Sequence, residues 1–229
     1  MIRFRFVVAL LAVLGVFSAN VSAQQFQEGV HYEVIEPAQP TSAKDQVEVV
    51  EVFGYMCPHC ASFQPYVHPW SENVADNVYF TRIPAIFNRS WEPFARAYYA
   101  AEVLGVLDDG HKALFDAVHT ERKMIRSPDH LADFFSQYGV DSAEFKKTMN
   151  SFAVETKLRR GQALIPRYGV NATPSMVVNG KYRTTGRMSG SFCNMLEVVD
   201  FLVAKEAAGL PKPASPAGEA EQSTTETGE

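Results

Sequence analysis

Cys57 and Cys60 stand three residues apart in the run Cys57-Pro58-His59-Cys60, and one further cysteine, Cys193, occurs in the chain. Sulfur attacks as thiolate, and a cysteine at a helix N-terminus gains from the unpaired backbone N–H groups and the positive end of the helix dipole. With a helix opening at this run, Cys57 takes that place and Cys60 lies one turn in, on the same face and within bridging reach. Cys57 is then the sulfur that attacks or is attacked, and Cys60 the one that resolves a mixed disulfide. Pro58 suits a first helical turn, where its missing N–H would find no partner in any case. His59 can donate a hydrogen bond or positive charge to the thiolate, favouring the dithiol and making the disulfide more oxidising. A plain surface histidine is the competing reading. The chemistry implied is thiol–disulfide exchange.

Zinc also binds Cys-x-x-Cys runs beside a histidine, but a structural zinc site takes four ligands and there is no second cysteine pair. A merely structural bridge fits poorly where the first cysteine opens a helix after a strand. Charge excludes another class: 21 Lys and Arg against 26 Asp and Glu give a net −5, so no basic surface points to nucleic acid. With 229 residues, 46% hydrophobic, the chain can bury one good core and a small second one.

The elements that must hold the pair are legible around it. Gln46 to Phe53 is Val-rich, as a buried strand is, with Glu51 as its anomaly. The helix from Cys57 should bend or break at Pro65. Asn77 to Ile83 reads as a second strand beside the first, completing a β-α-β unit. From Trp91 to Arg167 the period becomes helical, in four segments: 91–105, 108–122, 127–139 and 141–164. Strands resume at Ser175 to Val178, and Asn179-Gly180 turns into Lys181 to Thr184, a hairpin. A last amphipathic helix runs from about Ser191 to Ala208. The predicted domains are therefore 24–90 with 168–210, interrupted by helices over 91–167.

Both ends read differently. Arg3 and Arg5 precede an apolar run from Phe6 to Phe17 and then Val21-Ser22-Ala23, the pattern of a secretory signal peptide over 1–23. About a dozen apolar residues fall short of the roughly 20 a membrane span needs. Export leads to a compartment where disulfides persist. Residues 211–229 carry Pro, Gly, Ser, Thr and acids without a large apolar side chain, and read as a disordered acidic tail.

The cysteine run after EVVEVFGYM, with Ala172-Thr173-Pro174-Ser175-Met176 and Val-Val-Asn-Gly-Lys-Tyr more than 110 residues later, resembles the DsbA family of periplasmic thiol:disulfide interchange proteins. The resemblance covers roughly Gln27 to Gly209. It implies an α/β thioredoxin fold with an inserted helical domain, and a cis peptide before Pro174 that sets the Thr173 backbone against a bound substrate strand. It also implies that Cys57 and Cys60 pass their disulfide to reduced exported polypeptides and are reoxidised by a quinone-linked membrane partner, DsbB. No bound cofactor and no metal takes part. The resemblance places an acid such as Glu51 beneath the disulfide, opposite a base that Arg82 would supply. A proton path to Cys60 and a register-setting ion pair are its two readings, because an acid in a central strand is costly unless paired or protonated.

Other readings stay open on the residues alone. A reductase or isomerase would share every motif, and Thr173 before Pro174 is compatible with a milder poise. A non-catalytic peptide-binding chaperone would use the groove and keep the disulfide structural. Met56, Phe53 and Met176 could line an apolar groove by Cys57. Cys193 is expected to be a half-buried thiol, with intermolecular pairing the lesser option. His111, His119 and His130 are spaced irregularly and read as packing or surface, while Phe94, Tyr98, Tyr99, Phe134 and Phe135 read as core. Nothing argues for self-association, so a monomer is expected.

Overall fold

The computed structural model describes residues 26–210, so the signal-peptide and tail readings lie outside the described residues. Five strands, β1 (Glu33–Val34), β2 (Val47–Phe53), β3 (Val78–Pro84), β4 (Ser175–Val178) and β5 (Tyr182–Thr185), form one sheet in the order β1-β5-β4-β2-β3. β2 is an interior strand, buried along its whole length, parallel to β3 and antiparallel to β4. Its alternation sorts two faces. Val47 and Val49 point to helices α1 (Pro58–Glu72) and α8 (Phe192–Ala207), meeting Phe63, Val67, Val199 and Leu202. Val50 and Val52 point the other way, to Ile165 and Tyr168 at the end of α6 (Phe152–Arg167).

Between β3 and β4 lie α2 (Glu92–Val103), α3 (Leu107–Phe115), a π turn (Asp116–Thr120), α4 (Pro128–Ser136), α5 (Ser142–Met149) and α6. Phe94, Tyr98, Phe115, Leu131, Phe135 and Phe145 close their own core, and Phe53, Tyr55, Cys57 and Cys60 belong to the same apolar cluster. The inserted helices thus pack on the cysteine run itself.

Four local outcomes differ from the sequence reading. α1 continues through Pro65 and Pro69 to Glu72, because both prolines are exposed on a helix whose other face buries Cys60, Phe63 and Val67. The segment 141–164 is two helices, broken where Asn150 ends α5 and Ser151 accepts from the Val154 N–H to start α6. β1 and the short α7 (Gly186–Ser189) were not foreseen; a two-residue strand carries no periodic signal. No described helix is long and apolar enough to cross a membrane.

Candidate active site

β2 runs into Gly54, where the chain turns and the Cys57 N–H donates to the Gly54 carbonyl at 3.0 Å. Gly54 is required by close approach: a Cβ there would run into the Trp91 ring. Cys57 is the N-cap of α1 and Pro58 its first residue. Cys57 is 7% exposed and Cys60 fully buried; both are free thiols here.

The two sulfurs are electrostatically unlike. The Cys60 thiol hydrogen-bonds the Cys57 sulfur and, with the Thr173 side chain and the backbone N–H groups of Cys60 and His59, outweighs burial and lowers Cys57 to about 5. Burial, then the adjacent Cys57 sulfur, pushes Cys60 well above the ordinary thiol range. Pro58 and His59 are exposed; His59 reaches the Cys57 thiolate through its backbone N–H, while its side chain lines a groove.

Thr173 and Pro174 arrive from the far side of the insertion. Their peptide bond is cis, and the Cys57 Sγ lies 3.4 Å from the Thr173 carbonyl oxygen. His59, Thr173, Pro174, Arg187, Met188 and Phe192 help to line a groove of about 610 Å³, which reaches the Cys57 side of the site through His59 and Thr173. None of the three residues expected to line it does so: Met56 is half-buried against the helical core, and Phe53 and Met176 are fully buried in the helical and sheet cores.

Glu51 lies opposite Arg82 in the β2–β3 register, and the Arg82 Nε donates to Oε2 at 2.9 Å. The guanidinium also sits 4.6 Å from the Phe80 ring centre. Oε1 is buried with no partner, and burial raises the carboxyl pKa against the opposing pull of Arg82. Gln64, one turn beyond Cys60 and missed in the sequence, buries both amide atoms unpartnered.

His111 and His119 are also closer to the site than their spacing suggested: both bond to Tyr55, two residues before Cys57. The five aromatics read as core, Phe94, Tyr98, Tyr99, Phe134 and Phe135, are buried together. Cys193 is exposed rather than half-buried, on the outer stripe of α8 with Glu197 and Asp200, while Met195, Leu196, Val198 and Val199 face the core. Among the described residues no group of three or more His, Cys, Asp or Glu is placed to hold a metal ion.

The arrangement, a stabilised thiolate at a helix start beside a buried thiol and a peptide-lined groove, suits exchange of disulfides with another polypeptide. Residues 77–192 match the DSBA-like thioredoxin domain. The thiol:disulfide interchange protein DsbA of Pseudomonas aeruginosa is 37% identical over 204 residues, 89% of this chain and 97% of that protein. The crystal structure of P. aeruginosa DsbA superposes with a TM-score of 0.77 at 38% identity, covering 82% of this chain and 97% of that one. The oxidoreductase DsbA from Xylella fastidiosa gives 0.74 at 40% identity, covering 78% and 96%. Sequence, fold and paired thiols agree: the chain belongs to the DsbA family and is a thiol:disulfide oxidoreductase with a thioredoxin-like fold.

Proposed function

We propose that the protein works in the oxidising direction, in the periplasm, donating its Cys57–Cys60 disulfide to reduced exported polypeptides. The observation that carries the direction is the depressed Cys57 thiol: a stabilised thiolate lowers the free energy of the dithiol and makes the disulfide a stronger oxidant. A substrate thiolate attacks the Cys57 Sγ, the Cys57–Cys60 bond breaks, and Cys60 leaves and takes a proton. A second substrate thiolate then attacks the substrate sulfur of the mixed disulfide and expels Cys57 as thiolate. The substrate loses two electrons and the protein gains them.

In this reading the Thr173 backbone pairs with the substrate strand beside Pro174, Pro58 and His59 set the thiolate's surroundings, and Glu51 moves a proton to or from Cys60. The unpartnered Oε1 of Glu51 supports that role, since it leaves a buried oxygen free to take up a proton. Unchanged exchange rates across pH in Glu51→Gln would remove it. The thioredoxin-like domain, 24–90 and 168–210, carries the exchange; the helices of 91–167 cover it. The chain acts as a monomer, exported by residues 1–23 and reoxidised by a quinone-linked DsbB-type membrane oxidase.

The test is the redox equilibrium of Cys57 and Cys60 in graded glutathione buffers, with Cys193→Ala to leave one titrating pair. A potential well above that of glutathione is expected. One near thioredoxin's would overturn the oxidase in favour of a reductase or isomerase.

A further inference from the structure

Two histidines of the inserted helices hold opposite ends of one residue in the loop before Cys57. α3 ends at Phe115 and the chain continues as a π turn, closed by the Glu121 N–H donating to the Asp116 carbonyl at 2.9 Å. Such turns are rare and occur frequently at functional sites. His119 lies inside it, with Nε2 2.7 Å from the Tyr55 carbonyl oxygen and its ring stacked on Phe115. A carbonyl only accepts, so Nε2 carries the proton and donates. At the other end the Tyr55 hydroxyl is 2.8 Å from Nδ1 of buried His111. Nε2 of His111 has no hydrogen-bond partner, and the ring sits edge-on to Phe53 and Phe115.

We propose that His119 is a positioning residue for disulfide exchange: by fixing the Tyr55 carbonyl it holds the Gly54–Cys57 turn and keeps the Cys57 sulfur in register with Cys60. The proposal rests on exchange at Cys57 and Cys60 as read above. Between the anchor and the sulfur there is only Met56, and the turn is closed by a single backbone hydrogen bond, from Cys57 to Gly54. α1, which carries Cys60, packs against both α3 and the π turn, so the anchor and the second thiol share one body. A disulfide tolerates little error in separation and dihedral angle. Slack in the Cys57 loop therefore lowers the effective concentration of Cys60 at the Cys57 sulfur.

Glutathione reads that quantity directly. Its thiolate attacks the Cys57 Sγ, the Cys57–Cys60 bond breaks, and Cys60 leaves and is protonated. In the reverse step Cys60 gives up its proton, attacks the Cys57 Sγ and expels glutathione as thiolate. The population of glutathionylated Cys57 at equilibrium measures how well Cys60 competes. The experiment uses the full chain with Cys193→Ala, equilibrated in glutathione buffer, quenched with acid and weighed by mass spectrometry. His119→Phe keeps the stack on Phe115 and loses the donor. Mixed disulfide is expected to rise about five- to tenfold, the value of one hydrogen bond. His119→Gln, whose amide can donate to the same carbonyl, should bring it back toward wild type. A merely structural histidine would lower thermal stability without moving this ratio. No rise in His119→Phe, or a rise that His119→Gln does not reverse, overturns the proposal. Should His119→Phe not fold, His119→Leu removes the donor in its place and the same ratio is read; an unprotonated Nε2 at neutral pH in nitrogen NMR of the wild type also overturns it. A wild type that forms no Cys57–Cys60 disulfide with glutathione overturns the exchange reading, and the role of His119 with it.

Discussion

At the scale of single residues, the site is built from groups whose surroundings push them apart. The Cys60 thiol, with the Thr173 side chain and the backbone N–H groups of the helix start, draws Cys57 down, and burial keeps Cys60 neutral, so one sulfur is ready as thiolate and leaving group while the other holds its proton. Glu51 carries a cost. Its folded pKa lies above the ordinary 4.5, so native stability is lost as pH rises through that value and the carboxyl ionises in a closed interior. Replacing it by Gln keeps an oxygen for the Arg82 Nε and removes the buried charge. The oxidised Glu51→Gln protein is therefore expected to melt a few degrees above wild type at pH 7, with the gap closing below pH 4.5. Melting curves across pH check this, and a lower melting point at pH 7 would mean the ion pair outweighs its burial.

At the scale of elements, stability near the site depends on two close contacts. Gly54→Ala places a methyl group against the Trp91 ring and is expected to cost about 1–3 kcal/mol in denaturant unfolding, as overpacking does. Phe135 stacks on Phe145 with ring centres 4.6 Å apart, and Phe135→Ala should cost about 3–5 kcal/mol while leaving the Cys57 pKa near its wild-type value, since its causes are local. An upward shift of that pKa in Phe135→Ala, followed by thiolate absorbance, would show that the helical core sets it. Elements of this kind were readable where a short pattern decides them: Val-rich β2, the Asn179-Gly180 hairpin and the cysteine at a helix start. Glu51 stood out because an acid in a Val-rich strand needs a partner, while its pairing with Arg82 came from the family resemblance, and the parallel β2–β3 register sets the two side by side. What stayed hidden depends on contacts between distant segments. Pro65 breaks helices by its local chemistry, yet burial of Phe63 and Val67 carries α1 through it. Nothing in His111, His119 or Gln64 as residues shows that they converge beside the cysteine loop, and the exposure of Cys193 follows from the phase at which α8 docks.

At the scale of the whole molecule, the redox state and the folding equilibrium must be linked, because the Cys57 thiolate exists only in the reduced protein. Folded Cys57 titrates at about 5 and an ordinary cysteine near 9.0. The sign follows from which state holds more protons. Between those values the native reduced protein holds a thiolate and the unfolded chain a thiol, so unfolding takes up about one proton and stability rises with pH. The contribution is complete above the unfolded value, declines as pH falls and is gone below about 5. Cys60 is protonated in both states over this window and adds nothing, while the Glu51 effect is shared by the oxidised and reduced proteins and largely cancels between them. The reduced protein should therefore gain on the oxidised one steadily from pH 5 to pH 9. Calorimetry of both forms, in buffers of different ionisation enthalpy, gives the melting-point gap and the proton uptake independently. Cys57→Ser, which has no oxidised form, should lose the proton uptake seen in the reduced wild type. A gap that does not change with pH would mean the thiolate is no better held in the fold than in the unfolded chain, and with it would go the physical reason for a disulfide poised to oxidise other proteins.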